Sequence, residues 1–510
     1  MNQPTHEPIV DIESCAREPI HIPGAIQPHG VLLVLSVPNL QIMQVSENCD
    51  LILGIPTEFL LGKGLSSFLD AAQMARVQFA LQAADPAENN PVRLELLSRH
   101  EAGRLDGVVH SHDGLYILEL EPSLPPQQSY FLDFYRNIAK CTDRLYAAQS
   151  MRAVLDEAAN GVRQITGFDR VMIYRFMENG DGEVLAESKR SDVEPYLGLR
   201  YPASDIPEQA RQLYLLSPIR NIPEVPYTPV PLLPAINPET RRPADLSYAS
   251  LRSVSPVHCE YLMNMGVAAS MSVSIVRDGK LWGLVACHHL SPKFLSYEVR
   301  RACCFVGQVL AGEIGRREAA EESAFAMRAT MMQARFLELV AAPSSGALFD
   351  LTHSNPTLLD YLPAGGAAVV IADKVQSCGA TPSDGEVLSL MKRLRSAGAP
   401  NTFFTNCLRN HFAAFETMAH TASGVIALEV SREPSSYIFF FRPEVTQTVT
   451  WGGDPAKAVV AKENGFRLSP RKSFAAWKEK SRATALPWTK LEIRAADELR
   501  KLIVVVTAKK

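Results

Sequence analysis

The chain carries no apolar run long enough for a membrane span, and its opening residues, Met-Asn-Gln-Pro-Thr-His-Glu, have neither a basic start nor an apolar core. An export signal and a transmembrane anchor are therefore not expected, and the reading is a soluble, cytoplasmic protein. Neither sign of charge dominates. The formal net charge is −4, with no block of like charge, so the composition offers nothing to nucleic acid or to an anionic membrane. The nine cysteines lack repeated CxxC spacing, which argues against a zinc site or a disulfide framework and suits reduced thiols. No metal-ligand set is expected.

Regular periodicity is missing from two stretches. Residues 1–30, which carry Cys15, Pro19, Pro23, Gly24, Pro28 and Gly30, read as an ordered arm. Between Pro218 and Pro243 stand eight prolines with no helical or strand period. An unpatterned loop of that length inside a compact domain usually has a function. The 510 residues of the chain suffice for about three domains.

The patterned segments divide accordingly. Strands at Val31–Leu35 and Gln41–Val45, helices at Thr57–Leu61 and Ala71–Ala84, and a hairpin across Asp113-Gly114 make a small α+β domain ending at Pro125-Pro126. Helices from about Ser129 to Ala148 and Met151 to Thr166 lead to strands Arg170–Phe176 and Glu183–Glu187. From Glu298 to about Val340 one amphipathic helix is too long for a single globular core and reads as a spine joining domains, with exposed stripes suited to a homodimer. A third α+β domain follows. Capping boxes open helices at Ser383 and Thr489, and strands are expected at Ala367–Ala372, Val425–Val430 and Tyr437–Arg442.

Chemistry concentrates in the middle domain, around Tyr201-Pro-Ala-Ser-Asp-Ile-Pro207. Flanking prolines are expected to hold Asp205 and Ile206 extended with their carbonyls free, and Pro207 to stand at the first position of a helix through Leu213. The simpler alternative is a loop-to-helix junction capped by Asp205. Ala269–Val276 alternates, with Ser270, Ser272 and Ser274 on one face, and Asp278-Gly279 turns it into Leu281–His288, apolar on both faces. A serine row beside a doubly buried strand suggests a polar ligand in an interior cavity, the alternative being the wet face of an edge strand. Arg220, Arg252, Ser255, His258, Tyr261, His288 and His289 are expected to cluster there, the two arginines being suited to carboxylates.

Four motifs, Pro19-Ile-His-Ile-Pro-Gly-Ala-Ile-Gln-Pro-His-Gly30, Tyr201-Pro-Ala-Ser-Asp-Ile-Pro207, Leu251-Arg-Ser-Val-Ser-Pro-Val-His258 and Leu281-Trp-Gly-Leu-Val-Ala-Cys-His-His289, resemble those of bacterial phytochromes, in register along the whole chain. The resemblance implies a PAS-GAF-PHY photosensory array with antiparallel sheets. The N-terminal arm and PAS domain would fill residues 1–125, the GAF domain 126–315, and the PHY domain 316–510 with a tongue at about 442–480 and a C-terminal linker helix.

It further implies a biliverdin joined to Cys15 by a thioether, with the arm passing through the proline-rich loop in a figure-eight knot. Asp205, Ile206 and His258 would lie beside the pyrrole nitrogens. Arg220, Arg252, Ser255, Ser270 and Ser272 would hold the propionates. Tyr174, Tyr201, Tyr214 and Tyr261 would pack around the pigment, and His288 would bond the carbonyl of the turning ring. Arg471, with Ser473 nearby, would pair with Asp205 to carry the signal. Members that attach pigment within the GAF domain have cysteine just before the histidine; here Val257 stands there, and Cys259 reads as a packing residue.

The resemblance thus implies a red/far-red receptor rather than an enzyme, relaying to an output domain or response regulator. The usual histidine kinase is expected to be absent from this chain. Two rivals were a Cys/His enzyme and a GAF-type receptor for a small anionic metabolite. The first is disfavoured because Cys287 and His288, adjacent on a strand, should point to opposite faces.

Overall fold

In a computed structural model the described residues are 18–83, 89–95, 104–123, 130–342, 347–445, 447–455, 459–461, 468–470, 474, 476–481 and 484–508. They fall into two compact units, one of residues 1–315 and 450–477, the other of 316–449 and 478–510.

In the first unit, a sheet is built from Ile42–Ser46, Val31–Leu35, Leu115–Pro122, Leu105–His112 and Val92–Leu94. Its hairpin turns at Asp113-Gly114, where both residues take positive φ, 51° and 76°, the geometry that two-residue hairpins require. Val31, Leu33 and Leu35 alternate into a core closed by Val77, Ala80 and Leu81 of helix Ala71–Gln82, which Asp70 caps by accepting from Gln73 N at 2.7 Å.

The proline-rich loop is not devoid of strands. Val230–Leu233 joins this first sheet beside Ile42–Ser46, and Ile219–Ile222 joins the next one. Prolines alternating with donors leave enough N–H groups for an edge pairing, which a periodicity reading overlooks. Ala25–Ile26 pairs with Val230–Pro231, while Gln27 N donates to Leu251 O and Ser253 N to Ala25 O. Residues 25–27 of the arm therefore lie between the proline-rich loop and residues 251–253.

The second sheet runs Ile219–Ile222, Ala269–Arg277, Lys280–His289, Arg170–Phe176, Gly182–Lys189, Arg200–Tyr201, and continues to Trp451, which pairs in parallel with Arg200. Asp278-Gly279 turns its central hairpin with φ of 48° and 71°. On one face Met271, Val273, Ile275, Val285 and Cys287 pack against helices Tyr130–Ala147 and Met151–Thr166 and the start of helix Tyr297–Ala341. Cys303 and Cys304 sit in that helix, buried in the same core, and all eight described cysteines are free thiols.

The helix Tyr297–Ala341 has 45 residues. Its later residues Ala329, Phe336 and Val340 belong to the core of the second unit, which covers one face of a sheet ordered Lys374–Gly379, Gly366–Ile371, Ser435–Arg442, Gly424–Arg432, Thr402–Thr405. Helix Asp384–Ser396 and residues 408–422 cover the other face. The boxes at Ser383 and Thr489 form as expected, and a third, Thr357–Asp360, does the same for a helix of four residues. Arg442, at the end of its strand, forms a buried ion pair with Glu492 at 2.7 Å and lies 3.8 Å from the Trp488 ring centre.

Candidate functional site

The face of the second sheet opposite those helices carries two adjoining cavities. Asp205, Ile206, Tyr214, Arg220, His258 and Tyr261 line both. Tyr174, Tyr201, Ser270, Ser272 and His288 line the first, Arg252 and Ser255 the second. Sheet alternation explains the grouping. Leu284, Ala286 and His288 face the first cavity while Val285 and Cys287 point into the helix-covered core. Cys287 and His288 thus lie on opposite faces.

Four expectations need correction. Asp205 is not extended: it closes a 3-10 turn over Ala203–Asp205, its N–H donating to Pro202 O at 3.0 Å. A proline restricts only the residue directly before it, so Ile206 is driven to φ −129°, ψ 84° while Asp205, one further back, remains free to turn. Pro207 keeps ψ at 165° and stands at the N-cap, so the helix is Glu208–Leu216. Finally, His289 turns away from the cavities and pairs with Asp169, Nδ1 to Oδ2 at 2.8 Å, since it follows His288 on a strand. The serine row divides as well: Ser274 Oγ donates to Tyr214 O at 2.7 Å, leaving Ser270 and Ser272 on the cavity.

Tyr261 Oη donates to Asp205 Oδ2 at 2.7 Å, and the rings of His258 and Tyr261 stack at 6.2 Å and 10°. Tyr174 and Tyr201 meet at 6.1 Å. Burial, then the nearby Arg220 cation, pushes His258 down to about 4, and burial with Arg170 pushes His288 down to about 3. Both are neutral at pH 7.

Arg220 and Arg252 are the less comfortable pair. Arg220 Nη2 donates to Arg252 O at 2.5 Å, but Nη1 of each guanidinium is buried without a hydrogen-bond partner among the described residues. Burial, reinforced by the charge of Arg220, brings Arg252 down to about 9. Two desolvated cations with spare donors are expensive unless anions join them.

Several cavity residues escaped the sequence reading. Glu18 lines the larger cavity and accepts from Ser255 Oγ at 2.8 Å, and two more of its lining residues, Ser253 and Val254, are held by Tyr227, whose hydroxyl shares a hydrogen bond with Ser253 Oγ at 3.0 Å and accepts from Val254 N at 2.7 Å. Met172 and Met265 line the first cavity. Only the proximity of Glu18 to the arm motif could have flagged it. Cys259 packs with Ile222, Val225, Leu262 and Val267, and burial raises its thiol, so it behaves as a packing residue. Cys15, Arg471 and Ser473 lie outside the described residues. Among the described residues of 450–477, Phe474 meets the Tyr261 ring edge-on at 5.0 Å, and a Cβ on Gly452 would stand 2.6 Å from Tyr201 Cε1.

Comparison with known proteins gives three domain matches: a PAS fold over residues 15–123, a GAF domain over 150–316 and a phytochrome region over 330–510. Cyanobacterial phytochrome B of Nostoc sp. is 42% identical over 98% of this chain and 67% of its own length, and a bacteriophytochrome of Xanthomonas campestris is 34% identical over 98% of this chain and 80% of its own. The chain belongs to the phytochrome family. Among solved structures, a bacteriophytochrome of R. palustris superposes with a TM-score of 0.86 at 42% identity, covering 98% of this chain and 99% of that one. The Stigmatella aurantiaca phytochrome photosensory core module gives 0.84 at 40%, covering 99% and 100%. The chain spans about two thirds of the length of the cyanobacterial relatives and of the Pseudomonas aeruginosa bacteriophytochrome, and under half of the length of the plant phytochromes. Phytochromes are light receptors that bind a bilin. The residues present fit such a group, because the unpartnered nitrogens of Arg220 and Arg252 match the two acid side chains of a bilin and the remaining cavity wall is mostly apolar. No helix among the described residues is long and apolar enough to cross a membrane.

Proposed function

We propose that this phytochrome is a red/far-red receptor whose bilin is biliverdin, tethered by a thioether to Cys15 and seated in the two adjoining cavities. The observation that carries this reading is the pair of buried, partly unsatisfied arginines facing a largely apolar cavity. Arg220 and Arg252, with Ser255, Ser270 and Ser272, hold the propionates. Asp205, oriented by the Tyr261 hydroxyl, and the neutral His258 face the pyrrole nitrogens together with Ile206. Tyr174, Tyr201, Tyr214 and Tyr261 bound the pigment, and neutral His288 offers one ring nitrogen, Nδ1, that has no partner among the described residues. The bound bilin supplies light absorption and the isomerisation that follows it.

The arm's position between the proline-rich loop and residues 251–253 supports a threaded route that brings Cys15 to the cavity. Tethering there needs positioning more than an activating base. Val257 in place of a cysteine is consistent with attachment from the arm. Arg471, pairing with Asp205, and Ser473 make the signalling contact, and a change of fold in residues 442–480 passes to the long helix, to a homodimer partner and to a downstream output domain or response regulator.

Purified protein mixed with biliverdin should gain a red absorbance band that changes reversibly under red and far-red light. Cys15→Ala should bind the pigment but lose the adduct that survives denaturation. A colourless mixture, or a persistent adduct in the variant, overturns the respective part.

A further inference from the structure

Glu119 lies in the middle of strand Leu115–Pro122, wholly buried, and takes no part in the cavities. Its two carboxylate oxygens accept from successive main-chain amides: Oε1 from Ser250 N at 3.1 Å and Oε2 from Leu251 N at 2.6 Å. The next residue is Arg252. Two further groups hold the same stretch. Arg300 Nη1 donates to Ser250 Oγ at 3.1 Å while its Nη2 donates to Glu121 Oε2 at 2.8 Å, and Gln27 N donates to Leu251 O at 2.8 Å. The backbone that presents one of the two cavity cations is thus fastened to another domain's sheet. A guanidinium on a long side chain amplifies any slip of that backbone.

We propose that Glu119 is a positioning residue of the pigment pocket: by grasping the Ser250 and Leu251 amides it sets the place of Arg252 toward a ligand carboxylate, and it does so only while ionised. The ligand half of this statement rests on the pigment reading above; the backbone half does not.

The groups that face Glu119 are few. His110 Nδ1 is 3.9 Å from Oε1, Glu121 and Arg300 act from its own strand and from the long helix, and Arg220, Arg252 and Tyr297 feel its charge from further off. Burial, with Glu121 adding to it, raises Glu119 to about 7 against the opposing pull of the two amides and Arg300. Burial holds His110 near 4, so it stays neutral and brings no compensating charge at that pH. Protonation places an O–H on one oxygen, which then confronts an N–H donor, and one amide bond is lost. The grip is closed above neutrality and loosened below it.

Hydrogen exchange on pigment-free wild-type protein reads this directly. After correction for intrinsic rates, protection of the Ser250 and Leu251 amides should rise by about tenfold between pH 5.5 and 8.5, the worth of one hydrogen bond to a charged group, with amides of the opposite sheet edge as control. Protection that does not change with pH overturns the proposal. In the loaded protein, Glu119→Gln should lower biliverdin affinity by about three- to tenfold at pH 8 and abolish the pH dependence of that affinity. The loss should nearly vanish when Arg252→Ala is already present, whereas independent losses in the double variant overturn the positioning role. If Glu119→Gln fails to fold, the wild-type exchange profile decides alone; if biliverdin does not bind at all, the pigment reading falls and the exchange profile still tests the grip.

Discussion

Two guanidinium groups facing one cavity set the residue-scale economy of this protein. Arg220 and Arg252 repel each other in a desolvated site, so the pigment-free pocket is less stable than it would be with one cation fewer. Arg252→Met is expected to raise the melting temperature of the pigment-free protein while lowering biliverdin affinity by at least about tenfold, the scale of a lost charged hydrogen bond. A calorimetric scan and an absorbance titration check the two halves, and a fall in both quantities would sink the argument. Tyr261→Phe removes the donor to Asp205 Oδ2 without changing the stacked ring, and should cost about 1–3 kcal/mol of folding stability because a carboxylate is left short of a partner. Chemical denaturation of the pigment-free protein measures it. At this scale the sequence was readable in part. Residue types and motif spacing named ten residues that line the cavities and the family resemblance added Tyr174, Tyr201 and Tyr214, but the 3-10 turn at Asp205 and the outward direction of His289 depend on local geometry. The first follows from proline acting on one neighbour only, the second from strand alternation, which fixes a side but not which side is the pocket.

At the scale of elements, local chemistry and tertiary contact make separable predictions. Helix Lys490–Thr507 is capped by Thr489, whose Oγ1 accepts from Glu492 N at 3.2 Å while Glu492 Oε2 accepts from Thr489 N at 2.7 Å. Thr489→Ala should destabilise the second unit by about 1 kcal/mol, read by denaturant unfolding. Gly452 illustrates the other kind. It has ordinary freedom as a loop residue in the sequence, yet any side chain there meets the Tyr201 ring at 2.6 Å. Gly452→Ala should disturb the Trp451–Arg200 pairing and speed hydrogen exchange in residues 447–452, costing about 1–3 kcal/mol locally. Unchanged exchange would mean that the tyrosine simply moves aside. Boxes and hairpin dipeptides could be read directly because their partners lie within four residues. The strand pairing of Val230–Leu233 with Ile42–Ser46 could not, since its donors are supplied by a segment almost two hundred residues away.

For the molecule as a whole, buried titrating groups determine the response to acid. Burial lowers His29, His110 and His258 to about 4 and His288 to about 3, against an unfolded value near 6.5. Below pH 6.5 the unfolded chain binds protons that these folded sites refuse, so their contribution is fully present above that pH and is lost as pH falls toward 4. Glu119 acts in the opposite sense: raised to about 7 by burial, its contribution to global stability is fully present below about pH 4.5 and is lost as pH rises to 7, even though its bonds to the two amides, which oppose that rise, strengthen as it ionises. Because the lowered histidines, His289 among them, outnumber the raised carboxyls Glu119 and Asp106, the urea midpoint of the pigment-free protein should fall steadily from pH 6.5 to 4.5. A midpoint that rises over this interval would show that the histidines are not held neutral by burial. What the sequence determined by itself were the elements and the chemistry available to them, because helix caps, two-residue turns and alternating strands depend on neighbours along the chain. What only the tertiary structure decided was which faces meet. The arm lies against a proline-rich loop, one carboxylate of the first sheet grips the backbone before Arg252, and two arginines share a cavity, since each of these depends on burial and on partners that no local pattern specifies.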